Sequence, residues 1–291
     1  MKLFGKEVLL RETGCSLLGM YPSLVAPMVN LYVKVTSRCN ATCRFCCNTE
    51  HSSRNVFDIQ KLFHVIDEVH AKGVKLNRVS ITGGEPSMSM DIVWQILNKM
   101  NERSYLHIPI QLNTNGLSDD AHILMRNPRW DSISLSIHHY DTSVMTEIYG
   151  LKNTPVTVCL DAIDRQVLSC SCNLIKGYID CAEEAQKMMD YVISLGVRTM
   201  GFISLMPSNQ YCKEHFVSYD NIDFLSINGI MKTKGRTNGT HCRCENYLYR
   251  NNKGALDVYI RHNMEPSYCA SSLVYDGAYL RQGFHENNII Y

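Results

Sequence analysis

Hydrophobic and polar positions follow two different periods along the middle of the chain. Between segments of helical period, six others have strand-like composition: Asn30–Thr36, Asn77–Thr82, Ile108–Leu112, Ile133–Ile137, Asn173–Ile175 and Gly201–Leu205. Apolar residues recur at helical spacing over residues 59–69, 92–100 and 185–193, and Gly73 and Gly196 supply stops. About six βα units therefore lie between residues 30 and 207, and they predict a parallel sheet with helices outside.

The number of βα units limits the choice of α/β architecture. Six units are too few for a full eight-stranded barrel, so a partial (β/α)6 TIM-like barrel and an open doubly wound sheet both satisfy the pattern. Both architectures bind ligands beyond the carboxyl ends of their strands. Three unusual loops follow such ends: a cysteine-rich loop, the pair Gly83-Gly84 and the turn Asn115-Gly116.

The composition of the chain changes after about residue 208, where Asn, Gly, Tyr and Cys become frequent and helical periodicity fades. We therefore predict an N-terminal extension over residues 1–29, a core barrel over residues 30–210 and a small irregular C-terminal region over residues 211–291. Within the last region, the dipeptide Asp276-Gly277 predicts a hairpin turn.

Composition and charge exclude several classes of protein. Hydrophobic residues make up 45% and charged residues 20% of the 291 residues, which is ordinary globular usage. The net charge of +1 argues against nucleic acid and anionic membranes as partners, and no run approaches the roughly 20 apolar residues of a membrane span. The thirteen cysteines are an odd number, and no secretory signal is apparent. We expect a reducing cytoplasmic setting, in which clustered cysteines indicate metal or redox chemistry.

The first cysteine cluster, CNATCRFC, directly follows the first strand of the series. Cys39, Cys43 and Cys46 have a C-x3-C-x2-C spacing that lets one loop supply three thiolates to a metal centre. Soft thiolates favour iron–sulfur clusters or zinc. A structural zinc site normally has four protein ligands, and no fourth ligand follows at the spacing of a zinc finger. A zinc site and a set of buried free cysteines are the alternatives.

The cysteine loop and a second motif together resemble the radical S-adenosylmethionine (SAM) superfamily. Phe45 precedes the third cysteine, and the tetrapeptide GGEP, residues 83–86, follows the second strand, as in that family. The resemblance implies that the three cysteines hold three irons of a [4Fe-4S] cluster, whose fourth iron binds SAM. It also implies that Gly83, Gly84, Glu85 and Pro86 form the turn at the SAM amino group, and that Phe45 packs near the adenine.

Further positions match the same family in order. The turn Asn113-Thr114-Asn115-Gly116 resembles one whose polar groups face the ribose and carboxylate of SAM, and Ser136 resembles a SAM-contacting serine. Met206-Pro207 closes the last strand in a way similar to the subfamily that includes GTP 3′,8-cyclase. By resemblance, Asn113, Asn115, Ser136 and Met206 belong to the cofactor site. An ordinary turn or strand role is the alternative for each.

A second cysteine group lies in the C-terminal region. Cys242, Cys244 and Cys269 are similar to the auxiliary-cluster extension of many family members, although the C-x-C pair is closer than usual and no further cysteine follows. The resemblance implies a second, auxiliary iron–sulfur cluster. A zinc site and three metal-free thiols are the alternatives, and His241 is a candidate fourth ligand.

The resemblance implies an enzyme that cleaves SAM to a 5′-deoxyadenosyl radical and abstracts hydrogen from a substrate. We slightly favour a peptide substrate, because many members with auxiliary clusters modify peptides. A nucleotide or small metabolite is the alternative, supported by the basic stretch over residues 232–253. An electron donor such as a flavodoxin or ferredoxin is implied as a partner. The hypothesis from another class is a non-catalytic protein that uses zinc sites for interaction.

Overall fold

One mixed sheet of eleven strands organises the described part of the chain. The structure, a computed structural model, describes residues 2–8, 28–47, 56–151, 156–233, 245–261, 272–283 and 288–291. The strands are β1 (Lys2–Leu3), β2 (Lys6–Glu7), β3 (Met28–Lys34), β4 (Lys75–Thr82), β5 (Ile110–Thr114), β6 (Ser132–Ser136), β7 (Leu168–Leu174), β8 (Thr199–Ser204), β9 (Ile230–Lys232), β10 (Glu245–Asn251), β11 (Gly254–Arg261), β12 (Ser272–Tyr275) and β13 (Leu280–Gln282).

The order of the strands places the C-terminal segments at both edges of a parallel core. The sheet runs β13-β12-β3-β4-β5-β6-β7-β8-β11-β10-β9, and β1 pairs with β2 separately. Strands β3 to β8 are parallel to their neighbours in the core, and β12 and β11 extend the two edges in parallel. The hairpin partners β13, β10 and β9 are antiparallel.

Helices connect the core strands and cover one face of the sheet. They are α1 (Ile59–Ala71), α2 (Met90–Met100), α3 (Asp119–Met125), α4 (Thr142–Ile148), α5 (Ala182–Ser194) and α6 (Gln210–Glu214). Asp58 begins α1 by accepting a hydrogen bond from the Lys61 amide at 2.9 Å. Gly73 and Gly196 follow α1 and α5 with φ of +71° and +74°, a left-handed conformation that suits a glycine stop.

The hydrophobic core lies between the helices and one face of the sheet. Alternate strand residues point to this face, and each strand contributes fully buried side chains such as Val79, Leu112 and Ile133. The helices contribute the apolar stripes that their sequence period predicts: Leu62 and Ile66 of α1, Val93 and Ile96 of α2, Met188 and Val192 of α5. In the part of the chain that is described, no helix has the length and apolar content needed to cross a bilayer.

The opposite face of the sheet is polar, which is unusual because parallel sheets are normally buried by apolar residues on both faces. Cross-strand register places on this inner face Asn30, Tyr32, Lys34, Arg78, Ser80, Thr82, Gln111, Asn113, Ser134, Ser136, Ser169, Ser171, Asn173, Tyr259 and Arg261, interrupted by Gly201 and Ile203 of β8. A polar face without covering helices fits an incomplete barrel with a solvated lumen.

The structure confirms the α/β fold class and the six predicted core strands, with end shifts of a few residues. The Asp276-Gly277 hairpin is confirmed by the antiparallel pairing of β12 and β13. The sequence analysis missed α3 and α4, which have only seven residues each, and the strands β9 to β11. The division into residues 1–29, 30–210 and 211–291 stays a prediction, and strands of the last part extend the core sheet.

Candidate functional site

The cysteine loop after β3 is bonded to the GGEP turn after β4. The Gly84 amide donates to the Thr36 carbonyl at 2.7 Å, and the Glu85 amide donates to the Arg38 carbonyl at 2.8 Å. A Cβ atom at Gly83 would lie 2.4 Å from the Thr36 oxygen, and one at Gly84 would lie 2.0 Å from the Arg38 oxygen. Glycine is therefore required at both positions, because the two backbones cross at hydrogen-bonding distance.

A second anchor ties the same loop to the end of α4. The Thr42 amide donates to the Tyr149 carbonyl at 2.8 Å, and the Thr42 hydroxyl donates to the Gly150 carbonyl at 3.0 Å. Gly150 has a φ of +65°, and a Cβ atom there would lie 2.3 Å from the Thr42 hydroxyl. The loop is thus held on two sides by backbone hydrogen bonds.

The third anchor comes from the segment that follows β8. The Asn209 side-chain amide donates to the Arg44 carbonyl at 3.1 Å, and the Cys212 thiol donates to the Phe45 carbonyl at 3.3 Å. The Arg44 guanidinium lies 4.5 Å from the centre of the Tyr211 ring. Residues that follow β4, α4 and β8 therefore fix the loop that carries the thiols.

The three thiols of the motif have different exposures and share one electrostatic environment. Cys39 is exposed, whereas Cys43 and Cys46 are half-buried. The Ala41 amide and the Asn115 side chain donate to the Cys39 sulfur at 3.4 and 3.8 Å. Burial raises the pKa of Cys43 to about 12 and also raises the pKa of Cys39. Cationic iron would offset that burial and favour the thiolates.

The donor set fits a [4Fe-4S] cluster. Within the described ranges, no three His, Cys, Asp or Glu side chains are gathered around one point as a single metal ion requires. A four-iron cluster does not need that convergence, because each thiolate binds a different iron. Three thiols on one anchored loop, next to a glycine turn that excludes Cβ atoms, match what such a cluster and a ligand on its fourth iron require.

The Glu85 carboxylate joins the GGEP turn to the turn after β5. It is 1% exposed, and it accepts hydrogen bonds from the Thr114 hydroxyl at 2.7 Å, the Asn115 amide at 2.8 Å and the Ser87 amide at 3.2 Å. Burial raises its pKa, and these donors oppose the rise. Both carboxylate oxygens thus have partners within the protein. The role of Glu85 at the SAM amino group stays a prediction.

Asn115 connects this turn to the cysteine loop and borders a cavity. Its side-chain amide donates to the Asn40 side chain at 2.8 Å. The cavity is lined by Asn115, Gly116, Leu117, Met125, Leu135, Ser136, Ile137, Met145, Tyr149 and residues 156–159. The space in it that a water molecule could occupy is about 10 Å³, which is room for about one water.

Ser136 is positioned at this cavity by a neighbouring tyrosine. The Tyr149 hydroxyl donates to the Ser136 carbonyl at 2.5 Å, and the Tyr149 side chain is buried. Asn113 and Met206 do not line the cavity: the Asn113 side chain donates to the Ile81 carbonyl at 3.2 Å, and Met206 follows the end of β8. The assignment of Asn113 and Met206 to SAM stays a prediction.

His138 is a site residue to which the sequence analysis gave no definite role. It lies two residues after the end of β6, and its ring meets the Phe45 ring edge-on with centroids 4.9 Å apart. The Asn173 amide donates to its Nδ1 at 3.2 Å, which places the ring proton on Nε2. Burial lowers the pKa of His138 to about 4, so the ring is neutral. The alternation of apolar and polar residues in ISLSIHH was the signal for its position.

The structure brings most of the predicted site residues to one edge of the sheet: Cys39, Cys43, Cys46, Phe45, Gly83, Gly84, Glu85, Pro86, Asn115 and Ser136. Pro86 begins a short 3₁₀ helix over Pro86–Ser89 and is buried. The predicted ligands of the second cluster, Cys242, Cys244 and Cys269, lie outside the described residues.

Comparison with known proteins gives a family. The family model described as "Radical SAM superfamily" matches residues 33–219. A relative in Saccharolobus solfataricus, named probable GTP 3′,8-cyclase, is 24% identical over 277 residues, which cover 91% of this chain and 85% of that protein.

Among solved structures, one with a TM-score above 0.5 shares the fold at low identity. A radical SAM methyltransferase from Sphaerobacter thermophilus gives a TM-score of 0.53 at 18% identity, over 67% of this chain and 60% of that one. SuiB from Streptococcus suis, bound to precursor peptide SuiA, gives a TM-score of 0.45 at 19% identity, over 60% and 39% of the two chains. This chain therefore spans less than two thirds of either solved protein.

Proposed function

The chain belongs to the radical SAM superfamily, and we propose that Cys39, Cys43 and Cys46 hold its [4Fe-4S] cluster beside a SAM site at the carboxyl ends of the strands. Members of this superfamily are enzymes, and membership implies SAM and a [4Fe-4S] cluster. When bound, the cluster supplies the electron that cleaves SAM to methionine and a 5′-deoxyadenosyl radical, and the radical takes a hydrogen atom from the substrate.

The observation that carries this assignment is the pair of backbone hydrogen bonds between the cysteine loop and the GGEP turn. The bonds from Gly84 to Thr36 and from Glu85 to Arg38 fix the thiols relative to the turn before any ligand binds. Preorganisation of this kind lowers the cost of ordering the loop on binding. The close crossing also leaves only backbone atoms at the turn, where the amino group of SAM would approach.

The chain's own residues have three tasks in this proposal. The thiol loop holds the cluster and leaves one iron free for SAM. Asn115, beside the cysteine loop, and Ser136, at the end of β6, contact the nucleoside part of SAM. Phe45 and His138, with rings 4.9 Å apart, close the apolar side of the lumen and exclude water from the radical.

We further propose a second iron–sulfur cluster with Cys242, Cys244 and Cys269 as ligands. The resemblance of this trio to an auxiliary-cluster extension supports it. The described residue next to Cys244 is Glu245, which begins β10 and pairs with Ile260 near the end of β11. Because β11 is parallel to β8, Glu245 stands at the same sheet edge as the cysteine loop.

We slightly favour a peptide as the substrate, because the chain has the auxiliary cysteines. A nucleotide or small metabolite is the second candidate, favoured by the relative named probable GTP 3′,8-cyclase, which aligns with 91% of this chain. Catalysis in the cytoplasm and an electron donor such as a flavodoxin or ferredoxin complete the proposal.

Anaerobic reconstitution tests the proposal directly. We expect about four irons per chain for one cluster or about eight for two, and formation of 5′-deoxyadenosine from SAM that depends on a reductant. Cys43→Ala should lose the SAM-cleaving cluster and its product, whereas Cys181→Ala, a change at an exposed cysteine outside both groups, should retain both. Zinc without iron and sulfide, or an active Cys43→Ala variant, would refute the assignment.

The same preparation separates the remaining questions. Loss of about half of the iron in Cys242→Ala would support the second cluster, and unchanged iron would overturn it. Substrate class is tested by the fate of the 5′-deoxyadenosine hydrogen: deuterium transfer from a labelled nucleotide or from labelled peptides identifies which class donates it.

A further inference from the structure

Two arginines on the polar inner face have no described counter-ion. Arg78 lies in the middle of β4 and Arg261 ends β11. No ion pair among the described residues involves either of them. Their surroundings differ from those of the surface arginines, because the inner face of the sheet lines the lumen.

The Arg78 guanidinium is partly desolvated and lacks an acceptor. Its Nε is buried and has no hydrogen-bond partner within the described chain. Arg129 also has a buried Nε without a partner, but its terminal nitrogens donate to Asp131 and to the Ile108 carbonyl at 2.9 and 3.2 Å. The terminal nitrogens of Arg78 have no such acceptor among the described residues. An unpaired buried donor of this kind is destabilising, and an arriving acceptor would remove that cost.

Arg261 is held in the lumen by an aromatic platform. Its guanidinium carbon lies 4.6 Å from the centre of the Tyr259 ring. The Tyr259 ring in turn covers Gly201 of β8, where a Cβ atom would lie 2.0 Å from the ring. Glycine at position 201 therefore allows Tyr259 to lie flat against the sheet, and the stacked ring fixes the guanidinium above it.

Arg78 and Arg261 lie on the same inner face of the sheet, and the charges of both act on one residue there, Tyr259. In a flat sheet, β4 and β11 would be five strand spacings apart, about 24 Å at 4.8 Å each. Burial raises the pKa of Tyr259, but the positive charges of Arg261 and Arg78 both oppose the rise. Charges about 24 Å away would be screened beyond the Debye length of about 10 Å. The lumen therefore holds two cations near one tyrosine.

We propose that Arg78 and Arg261 form a subsite in the lumen that binds an oxyanionic group of the substrate. The planar guanidinium fork is suited to carboxylate and phosphate oxygens. A bound oxyanion would give the buried Nε of Arg78 an acceptor and would neutralise two neighbouring positive charges. The inference rests on the proposed function in one respect, since it takes the lumen to be the substrate site.

Binding measurements on the reconstituted full-length protein test the subsite. Inorganic pyrophosphate serves as the phosphate probe and glutarate as the carboxylate probe, each titrated by calorimetry. We expect wild-type protein to bind at least one probe, and Arg78→Met and Arg261→Met each to weaken that binding at least tenfold. Arg103→Met, at an exposed arginine, is the matched control and should bind like wild type. Binding of pyrophosphate alone assigns a phosphate group, and binding of glutarate alone assigns a carboxylate.

A stability measurement separates a binding role from a structural one. Because the Arg78 side chain makes no hydrogen bond to a described residue, Arg78→Met should melt at least as high as wild type in buffer without either probe. A lower melting temperature, failure of wild type to bind both probes, or wild-type affinity in both lumen variants would overturn the subsite. The proposed function fails separately, if wild-type protein from the same preparation does not form 5′-deoxyadenosine.

Discussion

Replacing Gly84 with alanine should detach the cysteine loop from the GGEP turn while leaving the rest of the sheet intact. The Gly84 backbone passes directly beneath the Arg38 carbonyl, and its amide donates to the Thr36 carbonyl at 2.7 Å. A methyl group at this position therefore enters space that the loop backbone occupies. No flexible side chain can give way, because the nearest atoms all belong to the backbone of Ser37 and Arg38.

The size of the effect follows from the distances. The added Cβ would lie 2.0 Å from the Arg38 oxygen, whereas ordinary contact begins at 3.4 Å, so the loop must move by about 1.4 Å. That movement breaks the bonds from Gly84 to Thr36 and from Glu85 to Arg38, each worth about 1 kcal/mol. With the strain of displacement, we expect a loss of about 2–4 kcal/mol, or a fall in melting temperature of about 5–10 °C.

The assay compares thermal unfolding with iron content in the same variant. Circular dichroism gives the melting temperature, and iron and sulfide are counted after anaerobic reconstitution. Gly254→Ala is the matched control, because its Cβ would meet only the flexible Ile193 side chain, at 3.3 Å. That variant should stay within about 0.5 kcal/mol of wild type and keep its iron.

Stability and iron content should change together in this variant. Gly84→Ala should have a lower melting temperature than wild type and should lose the iron of the first cluster, since the thiols shift with the loop. Equal melting temperatures and equal iron in the two alanine variants would show that the loop accommodates the methyl group, and that the close crossing is not what fixes the thiols.

Two further predictions concern buried groups behind the site. The pKa of His138 is lowered from about 6.5 to about 4 by burial, so its contribution to stability is complete above pH 6.5 and is lost as the pH falls toward 4. In urea unfolding, the free energy of unfolding of wild type should therefore fall by about 2 kcal/mol more than that of His138→Gln between pH 7.5 and pH 5. The control His107→Gln should follow wild type. If His138→Gln had the same pH dependence as wild type, the assignment would be contradicted. Tyr149→Phe removes the donor to the Ser136 carbonyl at 2.5 Å and should cost about 1–2 kcal/mol in the same assay. The exposed Tyr279→Phe should cost nothing measurable, and equal urea midpoints for the two phenylalanine variants would show that the Ser136 carbonyl finds another donor.

The core strands could be predicted from the sequence because their apolar residues face helices of matching period. Val79 and Ile81 of β4 pack against the same core as Leu62 and Ile66 of α1, and each set is visible locally. The short helices α3 and α4 could not be found this way, since seven residues give less than two full turns of periodicity. Their start signals, Ser118 and Asp141, were present as capping residues.

The residues of the candidate site could be predicted from the sequence where they belong to a motif. The contacts that join those residues could not be predicted. The cysteine spacing and the glycine pair identify a loop and a turn, but not the bonds that join them. Glu85 shows the difference: its type and position predicted a ligand contact, whereas the structure gives both carboxylate oxygens partners from Ser87, Thr114 and Asn115. Of these partners, Thr114 and Asn115 lie 29 and 30 residues along the chain from Glu85 and leave no periodic trace in the sequence.

The lumen shows why specificity is the last property that a sequence reveals. The polar alternation of Ser134 and Ser136 is readable within one strand, but it does not say which charges the strands opposite contribute. Arg261 reaches the lumen only because β11 joins the edge of β8 in parallel, across more than 50 residues of chain, and Gly201 leaves room for Tyr259 beneath it. A single side chain at position 201 would displace the ring and its guanidinium together. Gly201 therefore helps to position the guanidinium of the proposed subsite, although it carries no charge of its own.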